Sequence, residues 1–350
     1  MKRLSALVLA LIIFLCGCSP DGAEKSGDDT AAECLKLARA YRGLDTSDTQ
    51  AILDFLAGEG KCAVDAENLF QMANPELIED YLAQRDKEPS AVLEVYQVLP
   101  DGGFLRYDIG GGELRLTRAS WQGGLAVISM QKRYALTELK LTEKANLIIS
   151  YDIPENPDSK YGHDGYIVPC ALLKTKAPDP ECAALCKKYV QPLGYTRCNL
   201  LTASWSAGDF SEIDFGGVYD RLFYLDTGKD LWDKESFVFV DELKGEVRVS
   251  AEDFTALLSK YLPVTGQELR EDGAYSAETG AYRFFIDLDQ AAFDRPQPYP
   301  EVTAFADNGD GTLTLTVDEV FLDEGSDCVL RSELTVNTET GHYISNRVLG

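Results

Sequence analysis

After Pro89 the apolar residues of this chain recur every second position. The runs "AVLEVYQVL", "GFLRYDI", "GELRLTRASW", "LAVISMQKRYAL" and "NLIISYDI" alternate in this way, and glycine-rich turns at 101–103, 110–112 and 123–124 separate them. Period two puts successive side chains on opposite faces of a strand, and short glycine turns return the chain antiparallel, so the pattern demands a meander. A meander of this kind has to bury one face against another layer. The residues before Pro89 supply candidates. Ala31, Cys34, Leu35, Ala38 and Tyr41 fall on one helical face, a second helix is expected over Thr49 to Ala57, and a third over Ala66 to Arg85 with a break at Asn74-Pro75.

The middle, 154–240, is irregular, with two helical signals. Asp179 can cap a helix whose first turn holds Pro180 and which stops at Pro192; another runs from Phe215 to Leu225 with Gly228 near its end. Past 240 the pattern restarts. Ser250 with Asp253 approximates a capping box for a helix through Tyr261, and a short helix follows Thr265. Strands are expected at 281–286, 302–306, 312–322, 328–337 and 342–349. The class is α+β: N-terminal helices then an antiparallel meander, an irregular middle, and a C-terminal helix pair with an antiparallel sheet. The expected division is 31–240 and 241–350 as two α+β domains.

The N-terminus gives an address. Lys2 and Arg3 precede an apolar run from Leu4 to Leu15, the pattern of a secretory signal, too short for the roughly 20 residues of a membrane span. Leu15-Cys16-Gly17-Cys18 resembles the bacterial lipobox. That resemblance implies cleavage after Gly17, leaving 1–17 as the leader, and a diacylglyceryl group on the Cys18 thiol. Residues 18–30 are polar and acidic, so a flexible tether is expected there. The implied location is the extracytoplasmic face of the cell membrane, with the membrane as partner through the lipid.

Charge and motifs narrow the chemistry. The formal net charge is −25, with 33 basic against 58 acidic residues, which opposes nucleic-acid binding. Only His163 and His342 are present, and neither HExxH nor GxSxG occurs. Gly228-Lys229 lacks the rest of a Walker loop. "SMQK", 129–132, matches SxxK formally but lies in a strand pattern, where Ser129 and Lys132 would not converge. "DNGDG", 307–311, puts glycines at two calcium-loop ligand positions and reads as a hairpin turn. Seven cysteines follow Cys18. Cys170, Cys182, Cys186 and Cys198 are spaced 12, 4 and 12, a zinc-capable group without the usual CxxC pair, and disulfides or buried thiols are expected instead. Cys34 and Cys62 are the expected disulfide, with two small buried hydrophobes as the alternative. Trp121, Trp205 and Trp232 could stack on sugars, but aromatics at strand spacing usually pack into cores.

"VYQVLPDGGFLRYDI", "HDGYIV", "DPECAALCKKYVQPLGY", "YLPVTGQELREDGAYSAETGAYRF" and "NGDGTLTLTVDEVF" together resemble an uncharacterised lipoprotein family of Clostridia-type Gram-positive bacteria. The resemblance brings no catalytic residue, cofactor or metal. The expected role is non-enzymatic binding or scaffolding of an envelope ligand; the alternative is a cell-wall or glycan hydrolase working through carboxylates.

Overall fold

The structure is a computed structural model that describes residues 24–45, 47–153, 170–195, 198–229, 231, 238–241, 245–271, 274–286, 299–321 and 326–349. Its class is mixed α+β. Helix α1 (Glu24–Ala40) starts inside the segment expected to be tether. Helix α2 (Thr49–Gly58) starts at Asp48, whose carboxylate accepts the Ala51 amide at 3.1 Å. Strand β1 (Cys62–Asp65) and helix α3 (Glu76–Gln84) follow. Only the second half of the long helix expected at Ala66 to Arg85 forms. Residues 66–75 are a loop because Asn68 and Asn74 take φ 55 and 47, outside the helical region, and Ala73 pairs with Ala63 as a β-bridge; the buried Asp65 carboxylate accepts the loop amides of Glu67, Leu69 and Phe70 at 2.9–3.1 Å.

Six strands complete the first sheet: β2 (Leu93–Val98), β3 (Phe104–Gly110), β4 (Glu113–Gln122), β5 (Leu125–Leu141), β6 (Asn146–Asp152) and β7 (Cys170–Lys174). Strands β1 to β7 lie side by side in chain order. The meander accounts for β2 to β6; β1, parallel to β2, and β7 are additions at its two edges. The sheet curls until those edges are bridged. Asn68, just past β1, donates to Leu172 O at 3.1 Å and accepts Lys174 N at 2.8 Å; Gln71 donates to Thr175 O at 2.7 Å. One face carries Val64, Val95, Tyr107, Ile109, Leu114 and Leu147 with Ile78 of α3. The other face carries Ala63, Tyr96, Phe104 and Ala119 beneath α1 and α2.

The rest of the chain builds a second core. Asp179 caps α4 (Pro180–Leu185), accepting amides from Glu181 and Cys182, and a π turn (Cys186–Val190) extends it. Strand β8 (Trp205–Ser206) precedes α5 (Phe215–Thr227), which ends on Gly228 at φ 68, the left-handed stop its sequence requires. Strands β9 (Val238–Asp241) and β10 (Glu246–Ser250) lead into α6 (Ala251–Tyr261), where the Ser250–Asp253 capping pair forms. Then come α7 (Gly266–Glu271), β11 (Tyr275–Ser276), β12 (Ala281–Phe285), β13 (Tyr299–Asp307), β14 (Thr312–Phe321), β15 (Ser326–Asn337) and β16 (Tyr343–Val348). They form a sheet ordered β11-β12-β10-β9 and another ordered β13-β14-β15-β16-β8. Phe254 of α6 stacks between Tyr282, 4.0 Å away by ring centroid, and Tyr219 of α5 at 4.8 Å. This core takes in Cys182, Val190, Trp205 and Val218 as well as Val247, Leu315 and Val336. Position 240 falls within β9, and this core has members on both sides of it.

Candidate functional site: a groove beside the first sheet's closure

The loop that closes the first sheet also forms one wall of a groove. Asp65 and Asn68 hold the loop from both ends, and Asn68 takes φ 55, which a small amide side chain tolerates. Glu67 and Leu69 are thereby set facing α4 and the π turn. The opposite wall is Pro180, Ala183, Ala184, Lys187 and Gln191. The cleft encloses about 490 Å³. It exists because α4 and the π turn bury Cys182, Cys186, Tyr189 and Val190 on their inner side, leaving small residues and two polar ones outward. The π turn closes with Gln191 N on Cys186 O at 2.9 Å, a wider winding that recurs at functional sites. Glu67 and Lys187 are exposed, and neither is in an ion pair among the described residues.

A second polar feature lies under α1. Arg106 on β3 is buried and bonds Glu33 of α1 at 2.7 Å, Glu94 of β2 at 2.8 Å and Asp108 at 2.7 Å. Lys61 bonds the other oxygens of Glu33 and Glu94 at 3.1 and 2.9 Å, closing a ring of alternating charge. Both cations lie 5.6 Å from the centre of the Tyr96 ring. Asp108 is the surplus anion: its Oδ2 is buried without a hydrogen-bond partner among the described residues. Burial pushes the Asp108 carboxyl up, against the lowering pull of Arg106, whereas the hydrogen bond from Arg106 draws Glu33 down. A cavity of about 230 Å³ lined by Lys61, Glu94, Tyr81 and Val92 adjoins the ring. The carboxylates here are bound to cations, so the cluster fastens α1 to the sheet more readily than it performs acid–base chemistry.

The cysteines singled out by sequence are placed apart. Cys34 and Cys62 are both thiols, and the expected bond between them is not part of this structure. Cys34 lies on α1 and is buried in one core, whereas Cys62 is buried on the opposite face of the sheet, its Sγ 3.5 Å from Met72 Sδ. The alternation of β1 dictates this: Ala63, not Cys62, shares the α1 face. Burial pushes the Cys34 thiol up to about 11 and the Cys62 thiol up to about 12. Cys182, Cys186 and Cys198 are buried thiols in the second core, and no group of three or more metal-ligating side chains converges among the described residues. Cys18, His163 and Trp232 lie outside the described residues.

Other sequence candidates have structural duties. Asp307 accepts the Gly309 amide and Asp310 the Thr312 amide, so "DNGDG" is the β13–β14 turn. Ser129 and Lys132 both lie in β5. Trp121, partly buried against a core, donates to Gly102 O, and the buried Trp205 donates to Leu200 O. The sequence reading missed the charged ring and the groove. The ring had a signal: Glu94, Arg106 and Asp108 occupy one face of two adjacent strands.

A family description matches residues 29–350, from inside α1 to the C-terminus. The chain belongs to DUF6070, a family of unknown function. The matched span takes in the groove and the charged ring, and it starts after the lipobox-like junction. No curated protein and no solved structure matches the chain.

Proposed function

We propose that this protein is a lipid-anchored binding module at the extracytoplasmic face of a Gram-positive cell membrane, acting without catalysis. The groove carries the binding half of this reading: apolar lining residues with one acid and one base, neither in an ion pair among the described residues. Such a surface offers contact area and orientation but no nucleophile and no facing pair of carboxylates. The hydrolase alternative needs two such acids. Among the described residues Glu67 is the single carboxylate on the groove, and Glu33, Glu94 and Asp108 are bonded to Arg106 or Lys61. Leu15-Cys16-Gly17-Cys18 supports the anchored half.

Two experiments test the two halves. Cys18→Ala should shift the protein from the membrane fraction to the medium, or leave it unprocessed, with loss of palmitate labelling; a labelled, membrane-bound variant refutes the anchor. A photo-crosslinking residue at position 184, used on intact cells, should capture an envelope component. Capture that persists unchanged when the groove is filled by tryptophan at position 183 refutes binding there.

A further inference from the structure

We propose that the groove between the 65–71 loop and α4 binds a short peptide with free termini and small apolar side chains. Its carboxylate would meet Lys187 and its ammonium Glu67. This rests on the binding reading above and adds the ligand class. The first argument is charge. Glu67 and Lys187 stand on opposite walls, both exposed, with no ion pair to each other or to any described neighbour. A ligand bearing one charge satisfies one wall and leaves the other uncompensated, whereas a zwitterion satisfies both. A polyanion is further disfavoured by a chain of net charge −25.

The second argument is the lining. The rest of the lining includes Leu69 on the Glu67 wall and Pro180, Ala183 and Ala184 on the Lys187 wall, which give short apolar contacts. Methyl-sized side chains fit such a surface. Gln191 adds an amide that can donate to and accept from a peptide backbone. The volume, about 490 Å³, lies within the roughly 300–1,000 Å³ of small-ligand sites. The third argument is preorganisation. The Glu67 wall is fixed by the Asp65 carboxylate and by Asn68 and Gln71 on the β7 side, and the Lys187 wall by the Asp179 cap and the π turn. Little ordering remains to be done on binding.

Titration calorimetry of the purified full chain with trialanine tests the inference, with N-acetyl-trialanine amide as the blocked probe. Saturable trialanine binding is expected. Lys187→Met and Glu67→Gln should each weaken it about tenfold or more, and the blocked peptide about a hundredfold, since each lost contact is a charge-assisted hydrogen bond. Ala184→Trp should abolish binding at an unchanged melting temperature. Absence of saturable binding, equal affinity for the blocked peptide, or indifference to Lys187→Met overturns the inference. If trialanine fails while the photo-crosslinker still captures a component that the filled groove excludes, the ligand class is wrong and the binding reading stands.

Discussion

Replacing Arg106 by methionine should be among the most damaging single changes in the first half of the chain. The side chain is 5% exposed and bonds three carboxylates, of which Asp108 is 8% exposed, Glu94 33% and Glu33 44%. Removing the cation strands Asp108 as an uncompensated buried charge, an event that costs about 3–5 kcal/mol. Glu33 and Glu94 keep Lys61 and partial solvation, so their losses add little. The expected loss is therefore about 3–4 kcal/mol, a large share of the roughly 5–15 kcal/mol that stabilises a domain. Urea denaturation followed by the fluorescence of Trp121, which packs on Tyr41 of the same core, measures it. Arg106→Met combined with Asp108→Leu removes the stranded charge and should recover more than half of the loss. The acid limb is a second signature. Asp108 is raised in the folded state, so its contribution is full below the ordinary carboxylate range and is lost as pH rises through its raised value. Glu33 is lowered, so its contribution is present above the ordinary glutamate value and is lost as pH falls through its lowered one. The Asp108 contribution should thus grow as pH falls through its raised value and the Glu33 contribution shrink as pH falls through its lowered one, so Asp108→Asn should remove the first effect and leave the second. A loss below about 1 kcal/mol for Arg106→Met, or a double variant no more stable than the single one, refutes the reasoning.

Three further outcomes follow from the packing. Asn68→Ala removes both bonds to the β7 backbone and puts alanine at φ 55; it should cost about 2–4 kcal/mol and speed amide exchange at Lys174. Gly216→Ala would place a Cβ 2.7 Å from Phe284 Cβ, so the helix-propensity gain of about 1 kcal/mol is outweighed by overpacking of about 1–3 kcal/mol, and the melting temperature should fall. Cys34 and Cys62 should resist iodoacetamide in the folded protein and both react once it is unfolded without reductant; failure to react would mean that they are bonded.

What the sequence made legible was local. The caps at Asp179 and Ser250 and the stop at Gly228 are each decided within a few residues by side-chain chemistry, and each forms as the residues suggest. The hairpins β2 to β5 are similarly short-range. The first half of the third helix gave way to pairing with its surroundings: Ala66, Leu69, Phe70 and Ala73 have helical spacing, yet Asn68 takes φ 55 to reach the β7 backbone and Ala73 pairs with Ala63. The rest is long-range. Strand β1 is four residues long and becomes a strand only because β2 lies parallel to it; β7 becomes one only because β6 lies antiparallel to it. Alternation says which residues share a face but not which face α1 will cover, and that is why Cys34 and Cys62, neighbours in the sequence pattern, end on opposite sides of the sheet.

The groove is the extreme case of the same rule. Its walls come from residues 67–69 and 180–191, and neither segment carries a motif. What joins them is the closure of the first sheet, in which one asparagine side chain stands in for a missing strand at the β7 edge. An unpaired edge presents backbone groups that need partners, and the loop after β1 supplies them with side-chain amides. That solution fixes the loop, turns Glu67 and Leu69 toward α4, and so makes the cleft a consequence of how the sheet ends. Asn68→Ala therefore bears on function as well as on stability. If loosening the closure leaves ligand capture at position 184 unchanged, the groove is not held by the sheet edge, and the link drawn between fold and site fails.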